Sequence, residues 1–314
     1  MALTNQSTVT YFIFKGISDL PELQVLIFLL VLLIYLISIG GNMTILLLIC
    51  LNRRLHTPMY FFLGNLSVMD ISNITVTLHT LLIMTLKGDT TISFSACMAQ
   101  MYVFSSLTID ALLMLTAMGY DRFVAICKPL NYVVIMNQKA CVLLALACWV
   151  LGFIELSPYI ALLSGYSCYK SNVIDHFYCD VMPILKISCS DTSVLQIIII
   201  VEGLFCLSLP PLLLTFISYV FIIKSIMKIH SNVGRRKAFY TCSSHLTVVT
   251  LLYLTLFSQY LRPVSTDSME SNKLFALFNA AAIPLLNPLI YSLRNNDVKS
   301  ALGRRLKCFK TESA

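Results

Sequence analysis

Charge is what this sequence has least of. Asp, Glu, Lys and Arg make up 12% of its 314 residues, against roughly 25% in a soluble domain. With 58% apolar residues, too few polar side chains remain to cover a water-facing surface, so the chain reads as a membrane protein. Catalytic signatures are missing too. There is no Walker loop, HExxH, GxSxG or paired CxxC, so an enzyme reading has no positive support. Neither matched halves nor a repeat is visible, as a transporter built from inverted repeats would show. The start, MALTNQSTVTYFIFKG, lacks a basic segment leading into an apolar one; no cleavable signal peptide is expected, and the first helix serves as the insertion signal.

What is present is length without cations. Lys and Arg are absent over 16–52, 55–86, 88–121, 140–169, 187–223, 238–261 and 274–293. Each stretch holds an apolar run long enough for a helix crossing the bilayer, about 20 residues. The runs do not alternate with period two, so helices rather than a barrel are expected. The approximate spans are 24–51, 57–86, 93–127, 139–163, 195–229, 236–261 and 272–293. An N-terminal segment 1–23, a long loop 164–194 and a tail 294–314 complete a single 1–314 domain. With the N-terminus outside, the segments 51–57, 122–139, 224–237 and 294–314 are cytoplasmic and hold 16 of the 22 Lys and Arg, as the positive-inside rule requires. These cations are spread over four short segments facing anionic lipid, which excludes a nucleic-acid partner.

Of the 11 cysteines, Cys97, Cys168, Cys179 and Cys189 fall outside or at the outer rim. Four cysteines in an oxidising compartment suggest two disulfides, with three possible pairings. One bridge should tether the long loop to the third helix and the other should fold the loop on itself. Asn5-Gln6-Ser7 is a glycosylation acceptor triplet on the outer side. The segment from Asn295 to Lys310 reads as an amphipathic eighth helix on the membrane surface, with Val298, Leu302 and Leu306 on one face. Cys308 within it is a palmitoylation candidate.

Polar residues inside the apolar runs carry the functional hypotheses. They are Asn42, Asp70, Asp110, Asp121, Glu155, Glu202 and Asn287. Asp121 and Arg122 stand side by side where the third run meets the cytosol, and a partly buried pair of this kind has little net stability and is easily exchanged. Pro288 breaks a backbone hydrogen bond in the seventh helix and forms a hinge beside Asn287 and Tyr291. Asp110, Glu155 and Glu202 lie on neighbouring helices: either two or more of them converge and favour a basic or strongly hydrogen-bonding ligand, or they are protonated and hydrogen-bonded to Ser, Thr or backbone groups.

In order along the chain stand GN at 41–42, LHTPMYFFLGNLSVMD at 55–70, MGYDRFVAICKPL at 118–130, SY at 218–219, KAFYTCSSHLTVV at 237–249 and PLLNPLIYSLRN at 284–295. Together they resemble the rhodopsin-like G-protein-coupled receptors, and within these the odorant receptors. The resemblance implies an all-α, seven-transmembrane helix bundle in the plasma membrane, in sensory neuron cilia. It implies no cofactor, a small-molecule odorant as ligand and a stimulatory G protein as partner, with cyclic AMP as the output. A chemosensory receptor outside olfaction is the alternative; a channel or transporter would need a polar path that is not seen. It further implies the bridges Cys97–Cys179 and Cys168–Cys189, a coupling set of Asp121, Arg122, Tyr219, His245, Asn287, Pro288 and Tyr291, and a water or sodium network at Asp70 with Asn42 and Asn287.

Similar receptors bind ligands between helices 3, 5, 6 and 7 in the outer half of the bundle. Counted in turns from Arg122, that depth holds Met101, Phe104, Ser105, Thr108 and Ile109 on the third helix. On the fifth it holds Gly203, Leu204 and Leu207; on the sixth, Tyr253, Leu256 and Tyr260; on the seventh, Leu277 and Ala280. This set suits a small, mostly hydrophobic, neutral compound. Amine receptors of the wider family carry an acid where this chain has Phe104, which argues against an amine ligand. Two positions depart from the family: Leu254 replaces a usual Gly and should fill space or repack the sixth helix, and Gly119 replaces a usual Ala and lets helices approach.

Overall fold

The computed structural model describes residues 9–17, 21–166, 168–260, 268–294, 298–300 and 303. Asn5, Cys308 and most of the expected eighth helix lie outside them. Among these residues seven helices are long and apolar enough to cross a membrane. They are α1 (Pro21–Leu51), α2 (Pro58–Lys87), α3 (Phe94–Cys127), α4 (Gln138–Ser164), α5 (Ser193–Met227), α6 (Asn232–Tyr260) and α7 (Ser268–Arg294).

Helix ends follow local chemistry. Pro58 occupies the first turn of α2, where its missing N–H costs nothing, and Gly88 closes the same helix with φ +67°. Ser93 Oγ accepts from Ala96 N at the start of α3, and Asn137 Oδ1 accepts from Ala140 N at the start of α4. Burial sorts the helices. In its most apolar stretch α3 is 67% buried and α1 only 11%, so α3 is the central post while Leu26, Leu29, Leu30 and Leu33 of α1 face outward. Two helices carry a π-turn, Thr75–His79 in α2 and Gly203–Ser208 in α5. Trp149 Nε1 donates to Asn65 Oδ1 at 3.0 Å and ties α4 to α2.

Pairing between α1 and α7 explains the GN dipeptide. Pro288 has no N–H to give to the carbonyl four residues earlier, and Asn42 Nδ2 donates to that carbonyl, Pro284 O, at 2.9 Å. Next to it, Gly41 leaves room for the proline ring: a Cβ there would lie 2.9 Å from Pro288 Cγ.

The outer face adds elements to the helical expectation. Strand β1 (Tyr11–Phe14) runs antiparallel to β2 (Thr91–Ser93) and parallel to β3 (Val173–Ile174), in the order β2-β1-β3. Phe12 and Phe14 point inward and are buried; the Phe12 ring meets Tyr169 edge-on at 5.3 Å. The expected loop 164–194 also contains a short helix, Val181–Ile187. Cys97 is bonded to Cys179 and Cys168 to Cys189, with Cα separations of 5.4 and 5.5 Å. Gln100 braces the first bridge: its Oε1 accepts from Cys179 N and its Nε2 donates to Val76 O in the π-turn of α2. His176 is buried against Phe177 and Tyr178; burial pushes its imidazole down to about 3.

Candidate ligand cavity and switch

A cavity of about 160 Å³ lies between α3, α4, α5 and α6 beneath the loop helix. Phe104, Ser105, Thr108, Ile109 and Leu112 supply the α3 wall, and Leu156 the α4 wall. On α5 the wall is Ile199, Ile200, Gly203, Leu204 and Ser208, on α6 it is Leu256 and Phe257, and Val181 and Met182 form the roof. The π-turn puts Gly203 and Ser208 on the cavity; Ser208 Oγ closes the turn by donating to Gly203 O at 2.7 Å. Such turns expose a backbone carbonyl, and Tyr253 Oη donates to Ser208 O at 3.2 Å.

The structure brings Phe104, Ser105, Thr108, Ile109, Gly203, Leu204 and Leu256 together on this cavity. Four other residues lie elsewhere. Met101 is buried beside Cys97, Cys179 and Leu163. Tyr253 spends its hydroxyl on α5. Leu277 and Ala280 pack with Val31, Ile74 and Leu78 of α1 and α2, because α7 turns that face away from the cavity. The side chains of Leu207 and Tyr260 lie outside the described residues. Sequence reasoning missed the α4 wall and the roof. The roof had a signal: Val181 and Met182 follow Cys179, whose bridge holds them over the top of α3.

The three acids give this cavity no cation site. Glu155 is within electrostatic reach of Asp110 and of Glu202, but none of the three lines the cavity. Asp110 is fully buried and turns to α4, where its Oδ1 accepts from Gly152 N at 3.0 Å. Gly152 is required by this contact: a Cβ would come within 2.6 Å of Ser106 O. Leu254 is also corrected. It is 58% exposed on the outer surface of α6, beside Leu274 and Phe278 of α7, so it fills no interior space. Gly119 lies against His245, but a Cβ there would sit 3.5 Å from the imidazole, an ordinary contact that alanine would tolerate.

Toward the cytoplasm the polar residues form separate clusters. Asp121 and Arg122 are 3.9 Å apart. Asp121 Oδ1 accepts from Tyr132 Oη at 2.8 Å, and Arg122 Nε points at Met59 Sδ at 3.1 Å. The arginine is thus loosely held while the aspartate is anchored. Deeper, His245 Nε2 lies 2.8 Å from Leu115 O, and its Nδ1 lies 2.8 Å from Tyr219 Oη. A carbonyl only accepts, so Nε2 carries the hydrogen; in the neutral ring Nδ1 is then an acceptor, and Tyr219 Oη shares its one hydrogen between Nδ1 and Cys242 O, which lies 3.1 Å away. One imidazole therefore joins α3, α5 and α6. Beside α7, Asn287 Nδ2 donates to Asp70 Oδ2 at 2.8 Å. Asn42 is directed to Pro284 O rather than to Asp70. The buried Asn287 Oδ1 has no hydrogen-bond partner, so this spot offers a carboxylate and an amide oxygen, the ligand types a hard cation such as sodium takes. Among the described residues no cluster of His, Cys, Asp and Glu could hold a metal ion.

Residues 31–308 match the olfactory receptor family. The chain is 42% identical to human olfactory receptor 6C1 over 299 residues, covering 95% of this chain and 96% of that one. It is 44% identical to human olfactory receptor 8D4, covering 98% of each, and 44% identical to mouse olfactory receptor 5AR1, covering 96% of each.

Proposed function

Because this chain belongs to the olfactory receptor family, and is therefore a multi-pass membrane receptor and not an enzyme, we propose that it detects a small hydrophobic odorant in the cavity under the loop helix. Binding there activates a stimulatory G protein and raises cyclic AMP, in the plasma membrane of sensory cilia. Asn5 is the acceptor position for a glycan and Cys308 the candidate position for a palmitoyl chain.

The observation that carries this reading is a mostly apolar cavity between the same helices, α3, α5 and α6, that the Tyr219–His245–Leu115 contact joins nearer the cytoplasm. Thr108 on the cavity and Arg122 at the cytoplasmic end stand about 21 Å apart along α3 at 1.5 Å per residue. A ligand that repositions α6 relative to α3 strains the imidazole contact, and the loosely held Arg122 is then free for the G protein. Leu130, Val133 and Val134 offer an apolar docking surface on the cytoplasmic loop; they are 97%, 78% and 74% exposed. Asp70 with Asn287 holds a water or sodium ion in the resting packing.

A cyclic AMP reporter assay with a broad volatile panel tests the proposal. Arg122→Ala should abolish the response at equal surface expression. An undiminished response in that variant would sink the coupling mechanism.

A further inference from the structure

We infer that the ligand is a neutral, monofunctional compound whose one polar group, a carbonyl, ether or hydroxyl, hydrogen-bonds Ser105, with an apolar body lying toward Gly203 and Leu256. The inference rests on the odorant-receptor reading and on this cavity as the ligand site.

It follows from an account of the polar groups on the wall. Among the described residues three hydroxyls line the cavity: Ser105, Thr108 and Ser208. Thr108 Oγ1 donates to Phe104 O at 2.9 Å and receives Asn73 Nδ2 at 3.4 Å. Ser208 Oγ donates to Gly203 O at 2.7 Å. Both have spent their hydrogens within the protein. Ser105 is only half-buried and makes no hydrogen bond to the described residues, so its hydroxyl alone is free both to donate and to accept. A ligand with one polar atom satisfies it. A ligand with a second, distant polar group would bury that group unpaired, which is costly.

Charge is excluded by the same inspection. Among the described residues no Asp, Glu, Lys, Arg or His lines the cavity, and the nearest acid along α3, Asp110, is turned to Gly152 N. An ammonium or carboxylate ligand would enter without a counterion. Length is set on the far side. Nothing lies within 4 Å of a Cβ built on Gly203, so this glycine keeps open the space that the apolar body takes.

The test uses the full-length receptor and straight-chain series of six to ten carbons: alkane, 2-ketone, 2-alcohol, carboxylate and primary amine. Two readouts are taken, the cyclic AMP response at matched surface expression and ligand-dependent thermal stabilisation of the purified receptor. The ketone and alcohol should act at lower concentration than the alkane of equal length. Ser105→Ala should raise their half-maximal concentrations about 3- to 10-fold, the range of one net hydrogen bond, and leave the alkane's unchanged. Gly203→Val should shorten the optimal chain in every neutral series. The inference is overturned if Ser105→Ala shifts ketone and alkane equally, if the carboxylate or amine is the stronger ligand, or if no neutral compound stabilises the purified receptor. Stabilisation by ketone without a cyclic AMP signal would support the ligand class while overturning the coupling reading.

Discussion

Single residues in this receptor are constrained by what a neighbouring backbone leaves unpaired or too close. Asp110 and Gly152 are the clearest case. The acid reaches a main-chain N–H of α4, and the glycine lets α4 come within contact of Ser106 O. We expect Gly152→Ala to force α3 and α4 apart and lower stability by about 1–3 kcal/mol, as overpacking does; the melting temperature of the purified receptor measures it, and an unchanged value would mean the helices can shift freely. Asp110→Asn keeps an acceptor oxygen and should melt near the wild type. Tyr219 makes a second case. Its one hydroxyl hydrogen is shared between His245 Nδ1 and Cys242 O, so Tyr219→Phe takes it from both and leaves the buried Nδ1 unpaired, at about 1–3 kcal/mol. That cost falls on the packing seen here. Basal cyclic AMP should therefore rise, and a basal signal at or below wild type would show that the contact survives activation.

Secondary-structure elements differ in how far the sequence betrays them, and the reason is locality. The seven helices were legible because crossing a bilayer demands long uncharged runs, and nothing else produces them at these intervals. The outer sheet was not. Tyr11–Phe14 is four residues long, and its partners lie about 80 and 160 residues away, so no local pattern announces the pairing. Half of the cavity was legible for a similar reason. Counting turns from Arg122 gives depth along α3, and Phe104, Ser105 and Thr108 fell on the wall. Depth does not give rotation, so Leu277 and Ala280 of α7 were placed at the right height on the wrong face. At the element scale the loop above the cavity makes a pH prediction. His176 is buried and its imidazole is held down from the ordinary 6.5 to about 3. An opened loop binds the proton more readily than the packed one, so packing is fully favoured above about pH 6.5 and weakens as pH falls toward about 3. Asp175, beside it, acts in the same direction. Burial raises its carboxyl, but the Lys273 hydrogen bond and charge outweigh that and hold it below the ordinary value, so this tether is also lost on acidification. Amide protection factors over 173–180, each taken relative to the intrinsic exchange rate at that pH, should fall between about pH 6.5 and 4, and a flat profile of protection would contradict the burial of the ring.

At the scale of the whole molecule, the proposed function requires two arrangements of the bundle separated by a few kcal/mol, with the odorant preferring one of them. The contacts described above belong to one arrangement. Several of them share a feature: they satisfy groups that helix geometry alone leaves stranded, and so can be broken in one place without unravelling a helix. The α1–α7 contact tests whether α7 takes part. Asn42 Nδ2 serves the carbonyl freed by Pro288, and Gly41 accepts the proline ring. If α7 slides or rotates past α1 on activation, these contacts bias the receptor toward the packing seen here, and each 1.4 kcal/mol removed changes the ratio of the two states about tenfold. Asn42→Ala leaves Pro284 O buried without its donor, a loss of about 1–3 kcal/mol, and should both lower the melting temperature and raise basal cyclic AMP. Gly41→Val, which drives a side chain into the Pro288 ring, should do the same more strongly. The paired readouts separate the alternatives. A fall in melting temperature with unchanged basal signal would mean that both arrangements keep the α1–α7 contact, and that activation is confined to the α3–α5–α6 side where Tyr219, His245 and Leu115 meet.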